Sequence, residues 1–220
     1  MNKLIIGSIA LLAFGGNDAQ AARNELSLEV GGLSSNDQNY NLFSETGGIS
    51  TWGVRGGVGL SRHLAIVASY HHGATGNGLE GEEDASGDYT EGSMQFRTNQ
   101  LAVGPKFEAA VAPWLRPYVT VQAMAFQGRI LLDDNNDVDD NENQLSYSTV
   151  APAGVVALGL DLIPFGATKT VGFGSHLEMG FGHTRPLQFE DKERAASEPV
   201  SLGELQFSGF YINWGAGIRF

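Results

Sequence analysis

The residues of this chain that are best suited to chemistry are histidines placed near serines and carboxylates. Ser69 lies two positions before His71, and His176 lies two positions before Glu178. Two such residues share one face of a strand, so a nucleophile and its base could meet there. Ser175 and His176 are adjacent and therefore diverge. Because the apolar pattern directs both two-apart pairs to the polar face, away from an apolar substrate, we predict no catalytic residues.

Two features could suggest a metal site, but neither has the required geometry. The adjacent residues His71 and His72 diverge in a strand and cannot converge on one ion, so we expect a polar cap where the strand leaves its apolar surroundings. Oxygen-bearing side chains recur at every second position, as in a calcium loop, at Asp133, Asn135, Asp137 and Asp139. Val138 replaces the glycine of such a loop, and Gln144 stands where a bidentate glutamate belongs. We predict no cofactor, with weak binding of divalent cations at the acidic positions left open.

Strands must position these residues, because apolar and polar residues alternate along most of the chain. In the last segment Ile212, Trp214, Ile218 and Phe220 share one face, with polar or small residues between them. A strand with one apolar and one polar face suits the wall of a membrane β-barrel. Eight segments carry the pattern, within 25–30, 51–60, 64–70, 100–108, 118–126, 150–160, 171–182 and 211–220.

Two stretches depart from the simple alternation. Residues 94–98 have the opposite apolar parity to 100–108, so we expect a bulge or a part of the strand standing above the bilayer. Both faces of 118–126 are moderately apolar, which leaves its inward face undecided.

The connections between the eight segments alternate in length. Short ones lie near 61–63, 111–115 and 163–169, and long ones near 34–50, 73–91, 127–146 and 184–201. Outer-membrane barrels have this asymmetry, with short turns and both termini in the periplasm and long loops outside. Two of the long connections are strongly acidic.

Charged residues at inward-facing positions form the most informative set. The interior of an eight-stranded barrel is about filled by side chains, so charges buried there need partners. We predict an interior charge network of Glu25, Glu29, Arg55, Lys106, Glu108, His176, Glu178 and Arg219. Glu29 should pair with Arg55, and Arg219 with Glu25 across the seam between the last strand and the first. A gated pore that exchanges these partners is the functional alternative.

The N-terminus predicts export. Lys3 precedes an apolar run from Leu4 to Phe14, and Ala19-Gln20-Ala21 is a small-x-small cleavage site. We therefore expect a signal peptide over 1–21 and a barrel domain over 22–220. The net charge of −12 argues against nucleic-acid binding, and the lack of cysteine means that the exported chain is stable without disulfides.

The chain resembles the small eight-stranded outer-membrane barrels grouped with the OmpA transmembrane domain, OmpX and OmpW. Three motifs carry the resemblance: Trp52-Gly-Val-Arg-Gly-Gly-Val-Gly-Leu60, Pro117-Tyr-Val119 and Trp214-Gly-Ala-Gly-Ile-Arg-Phe220. It implies an all-β, eight-stranded antiparallel up-and-down transmembrane β-barrel in a Gram-negative outer membrane. It also implies that the barrel assembly machinery reads the final strand, through Ile212, Trp214, Ile218 and Phe220.

These observations predict a non-enzymatic protein with a structural or surface-interaction role through acidic extracellular loops. Its expected partners are outer-membrane lipid and lipopolysaccharide, the assembly machinery and divalent cations at the loops. A narrow channel for small or apolar solutes, of the OmpW kind, is the first alternative. A lipid A-modifying enzyme is the second, and it would need a lipid-facing catalytic triad that the pattern does not provide.

Overall fold

Eight antiparallel strands close into one barrel in the computed structural model, which describes residues 24–44, 47–83, 89–134, 145–165, 171–191 and 200–220. The described residues form ten strands, of which β8 and β9 pair only with each other, outside the barrel. They are β1 (Glu25–Ser34), β2 (Gly48–Gly59), β3 (Leu64–Glu83), β4 (Tyr89–Glu108), β5 (Leu115–Asp134), β6 (Leu145–Phe165), β7 (Gly172–Thr184), β8 (Leu187–Asp191), β9 (Val200–Leu205) and β10 (Ser208–Arg219). Around the barrel the order is β1-β10-β7-β6-β5-β4-β3-β2, so the last strand pairs with the first. The eight-stranded antiparallel barrel predicted from the sequence is confirmed.

Apolar side chains cover the outside of the barrel, because side chains alternate between its two faces. Leu28, Leu158, Phe173 and Phe210 are 71, 63, 64 and 72% exposed. Charged and polar side chains turn inward at the intervening positions. This arrangement is the reverse of a water-soluble barrel, which buries its large apolar residues. None of the described helical residues forms a helix long and apolar enough to cross a membrane.

Four strands are longer than the sequence pattern indicated. β3 continues to Glu83 and β4 begins at Tyr89, while β5 continues to Asp134 and β6 begins at Leu145. Most of the second long connection expected from the sequence and half of the third are therefore strand, and the expected extent of these connections was wrong. The apolar side chains on the outside of the barrel form a belt, and beyond that belt the outer face does not contact lipid and need not be apolar. The strands therefore continue to pair there without an alternation of apolar and polar residues.

The bulge expected near the start of the 100–108 segment does not occur. β3 and β4 pair without a register shift from Leu64 opposite Phe107 to Glu80 opposite Glu91. The alternative, that residues 94–98 stand above the bilayer, stays a prediction, and the inverted parity reflects an inward apolar side chain, since Phe96 points into the barrel and is fully buried. At the upper end of the barrel, opposite the end where β1 begins and β10 ends, the lumen is apolar. This reverses the pattern of the rest of the wall, in which apolar residues face outward and polar residues face inward.

An aromatic plug closes this upper end of the barrel. A short 3₁₀ helix (Gln38–Leu42) follows β1, and the β8–β9 hairpin lies between β7 and β10. The aromatic plug consists of Tyr40, Phe43, Phe96, Phe126, Leu187, Phe189, Leu205 and Phe207. Phe207 is central, with ring centroids 5.2 Å from Phe96, and 4.9 Å from both Phe126 and Tyr40. Burial raises the pKa of the Tyr40 hydroxyl above its usual range.

Candidate functional site: the barrel interior

A lower ion cluster fills the end of the barrel at which β1 begins and β10 ends. It consists of Glu25, Lys106, Glu108, Asp161 and Arg219. Lys106 Nζ lies 2.7 Å from Glu25 Oε2 and 3.0 Å from Glu108 Oε1. It also lies 2.8 Å from Asp161 Oδ2, which Arg219 contacts as well. Every charge meets opposite charges, so burial of the cluster is compensated.

The three carboxylates of the lower ion cluster also lie close enough together to hold a metal ion. However, Lys106 and Arg219 already contact these oxygens. The two side chains supply the positive charge that a metal ion would otherwise bring, so the arrangement favours an internal ion network.

Arg55 lies above the lower ion cluster, and only 2% of its surface is exposed. Its Nη1 atom lies 2.8 Å from Glu178 Oε2 and 3.6 Å from Glu29 Oε1. Its Nε atom lies 3.3 Å from Glu25 Oε1. Three buried carboxylates therefore share this guanidinium, which joins the lower ion cluster to the middle of the barrel.

Glu29 is held between two histidines at the next level. His71 Nε2 lies 2.6 Å from Glu29 Oε2, and His176 Nε2 lies 2.6 Å from Glu29 Oε1. Tyr211 lies on β10, between the strands of Glu29 and Glu178, and its hydroxyl donates to Glu178 Oε1 at 2.8 Å. The interior is thus a continuous network of charged and polar groups from the seam upward.

Tyr118 packs its ring against the cations of this network. Lys106 Nζ lies 4.4 Å and Arg55 Cζ lies 5.5 Å from the ring centroid, within the range of a cation–π contact. On β6, a Cβ atom added at Gly159 would overlap the Tyr118 ring. The glycine therefore makes room for the aromatic side chain that covers the ions.

Replacement of Gly159 by Ala should therefore lower the free energy of unfolding by about 1–3 kcal/mol, the usual cost of overpacking. Gly154→Ala on the same strand is the matched control, because the nearest atom to its added Cβ is 4.0 Å away. Urea unfolding of both variants in lipid vesicles measures the difference. Equal changes in the free energy of unfolding in the two variants would mean that the Tyr118 ring moves aside without a loss of stability.

The structure places all eight charged residues of the predicted network inside the barrel. Glu29 lies 3.6 Å from Arg55, and Glu25 lies 2.8 Å from Arg219, as the two expected pairs require. The structure adds Asp161, Arg116, His71, Tyr118 and Tyr211, which sequence reasoning missed. Asp161 continues the inward parity of its strand one residue beyond the segment recognised in the sequence, so that signal could have found it.

The rings of His71 and His72 diverge as their adjacency requires, and the polar cap expected where this strand leaves the membrane stays a prediction. β3 does not end there but continues to Glu83. His71 faces inward to Glu29, while the ring of His72 faces outward, 5.8 Å from that of Trp52. Beyond His72 the outward residues of β3 are mainly polar or small, so the sequence pattern did not indicate that the strand continues.

Nothing in the described residues assembles a complete catalytic triad. Ser69 and His71 both face the interior, where the His71 ring contacts Glu29. On the outer face, His183 Nδ1 lies 2.5 Å from Ser208 Oγ, a pair that sequence spacing could not reveal because it joins two strands. No carboxylate contacts His183 in the described part of the chain, so this pair lacks an orienting third group.

A small chamber separates the ion network from the aromatic plug. Its volume is about 40 Å³, enough for roughly one to three water molecules. Gln100, Gln122 and Asn213 line its sides, with Arg55 below and Phe207 above. Gln100 Nε2 and Arg55 Nη2 are buried there without a hydrogen-bond partner among the described residues.

Several sequence expectations fall outside the described residues. These are the signal peptide over 1–21, the candidate calcium ligands Asn135, Asp137 and Asp139, and the side chain of Asp133. The calcium expectation and the export expectation therefore stay predictions.

Comparison with known proteins relates this architecture to solved structures. No protein-family model and no curated protein sequence matches the chain. Ail, the attachment invasion locus protein of Yersinia pestis, aligns with 91% of this chain and 99% of its own at 12% identity, with a TM-score of 0.50. Neisserial surface protein A aligns with 93% of this chain and 98% of its own at 9% identity, also with a TM-score of 0.50. The chain therefore has the fold of the small eight-stranded outer-membrane β-barrels.

Proposed function

We propose that this protein is a non-enzymatic integral protein of the bacterial outer membrane, with a structural or surface-interaction role. One observation carries the proposal: the lumen is closed at two levels. The lower ion cluster and Arg55 fill the lower half with paired charges, and the aromatic plug fills the upper half. A barrel sealed in this way presents its outer wall and its upper end, not its lumen, to partners.

Membrane insertion is supported by the outer surface. Large apolar side chains such as Leu28, Leu158 and Phe173 are more than 60% exposed on the barrel wall, which lipid would cover. The cleavable signal peptide over 1–21 would export the chain. The assembly machinery would read the last strand, on which Ile212, Trp214 and Phe220 point outward.

The surface role rests on the upper end of the barrel, which extends beyond the apolar belt. The segments 80–91 and 133–142 each contain six acidic residues and no basic residue. Acidic loops of this kind would bind divalent cations and, through them, the phosphates of lipopolysaccharide. The names of two barrels of this fold, the attachment invasion locus protein Ail and Neisserial surface protein A, fit such a role.

Planar-bilayer recording of the refolded mature protein tests the closed lumen. We expect no discrete conductance steps, because no ion can pass the paired charges and the aromatic plug without displacing them. The Glu178→Gln variant, recorded alongside, should be equally silent.

A narrow channel is the competing function, and the small chamber favours it, because Gln100 Nε2 and Arg55 Nη2 are buried there without a hydrogen-bond partner in the described part of the chain. Discrete steps whose size changes in Glu178→Gln would overturn the closed-lumen proposal. They would identify the interior charges as the gate of a channel.

A further inference from the structure

A chain of hydrogen bonds on the outer wall marks the upper edge of the apolar belt. Tyr70 Oη donates to Asn99 Oδ1 at 2.8 Å, and Asn99 Nδ2 donates to Gln127 Oε1 at 3.0 Å. Gln127 Nε2 in turn donates to Ser148 Oγ at 3.1 Å. These four residues, here called the polar ladder, cross β3, β4, β5 and β6. Below them the outward side chains are mainly apolar and include Ile66, Leu101, Val103, Val121 and Val156.

Two arginines lie directly opposite each other just above the polar ladder. Arg97 on β4 and Arg129 on β5 are cross-strand partners, and both are exposed. Like charges in this position repel each other and destabilise a sheet. Neither arginine forms an ion pair among the described residues. A feature that costs stability and forms no ion pair within the described part of the protein indicates a partner outside it.

Neutral side chains hold both guanidinium groups on the wall. Arg97 Nη2 donates to Gln95 Oε1 at 3.0 Å, and Arg129 Nε donates to Ser146 Oγ at 2.7 Å. These acceptors orient the arginines but do not neutralise them. The pair therefore keeps its positive charge, although the chain as a whole has a net charge of −12.

The position of the two arginines along the barrel axis indicates which kind of anion they would meet. Arg97 lies four residues above Leu101, and Arg129 lies four residues above Ala125. In a barrel whose strands are tilted by ~40°, a separation of four residues corresponds to about 10 Å along the barrel axis. Long arginine side chains reach down several ångströms toward a membrane interface. The guanidinium groups would thus meet the headgroup layer of the outer leaflet.

We propose that Arg97 and Arg129 form a binding site for the phosphate groups of an outer-leaflet glycolipid of the lipid A type. The inference rests on the proposed membrane location. Guanidinium groups bind phosphate through charge-assisted, often bidentate hydrogen bonds. A soluble polyanion fits less well, because it would approach past the acidic upper ends of β3, β4 and β5, which carry acidic residues within 80–83, 89–91 and 133–134. A lipid phosphate reaches it from below and to the side.

Native mass spectrometry of the refolded full mature protein, titrated with bisphosphorylated lipid A in detergent micelles, tests the proposal. We expect lipid A to bind, and dephosphorylated lipid A to bind at least ten-fold more weakly. Each of Arg97→Gln and Arg129→Gln should weaken binding of the bisphosphorylated form about ten-fold, since each removes one charge-assisted contact. Arg62→Gln is the matched control, because Arg62 is exposed in the turn at the opposite end of the barrel.

Three results would overturn the site. These are unchanged binding in the Arg97→Gln/Arg129→Gln double variant, equal binding of dephosphorylated lipid A, and displacement of lipid A by a sulfated oligosaccharide at similar concentration. Circular dichroism and heat-modifiable gel mobility of each sample report barrel formation in the membrane mimic. Failure to form a barrel would contradict the proposed function, whereas a folded barrel without phosphate selectivity would contradict only this inference.

Discussion

Replacement of Arg55 by Met is expected to lower the free energy of unfolding by about 3–5 kcal/mol, the cost of leaving buried charge without its partner. Arg55 is 2% exposed and contacts Glu25, Glu29 and Glu178. Methionine fills a similar volume but supplies no charge, so three carboxylates would lose a shared counter-ion in the lumen. Urea unfolding in phosphatidylcholine vesicles, followed by tryptophan fluorescence, measures the loss.

Two controls separate charge from shape in this experiment. Arg62→Met makes the same substitution in an exposed turn and should change stability by less than about 0.5 kcal/mol. The Arg55→Met/Glu178→Gln double variant removes one of the stranded charges and should recover part of the loss. A loss below about 1 kcal/mol in Arg55→Met, or no recovery in the double variant, would contradict the view that Arg55 balances these carboxylates.

The wall of the barrel could be predicted from sequence because the bilayer imposes a period of two on each crossing strand. Phe173, Leu177 and Met179 face out while His176 and Glu178 face in, as their alternation indicates. The inward charges of the network could be identified for the same reason. For these membrane-spanning positions, hydrophobic periodicity alone was enough to predict which face of the wall each residue occupies.

The partners of these charges required information that periodicity does not contain. Asp161 contacts Arg219 and Lys106, which belong to strands far away in sequence. Such contacts depend on strand order, register and barrel diameter together. His71 shows the same limit, because its inward face was evident but its contact with Glu29 follows from the depth at which both side chains enter the lumen.

The upper lumen was unpredictable for a different reason. Phe96 belongs to an apolar interior that reverses the rule for the wall, and the residues that bury it come from the connections. Tyr40 arrives from the 3₁₀ helix, and Phe207 follows the β8–β9 hairpin. Sequence patterns indicate where strands cross a membrane, but they do not show that a connection folds back over the mouth of the barrel.

The aromatic plug should behave as a unit that opens separately from the wall, and Phe207→Ala tests this. Phe207 is 2% exposed and its ring stacks on Phe96 and Phe126. Truncating a buried Phe costs about 3–5 kcal/mol, so opening of the β8–β9 hairpin should become at least ~100-fold more frequent. Hydrogen exchange measured by mass spectrometry should show faster exchange at 187–191 and 200–205, with the barrel strands unchanged.

Phe210→Ala is the control for this prediction, because Phe210 is 72% exposed on the outer wall. The substitution removes the same side-chain atoms as Phe207→Ala, but outside the aromatic plug. It should leave exchange in the β8–β9 hairpin unaffected. Acceleration spread equally over β1 to β7 in Phe207→Ala would mean that plug and wall unfold as one unit. Even with a loosened plug we expect no conductance, since Lys106, Arg219 and their carboxylates still close the lower half of the lumen.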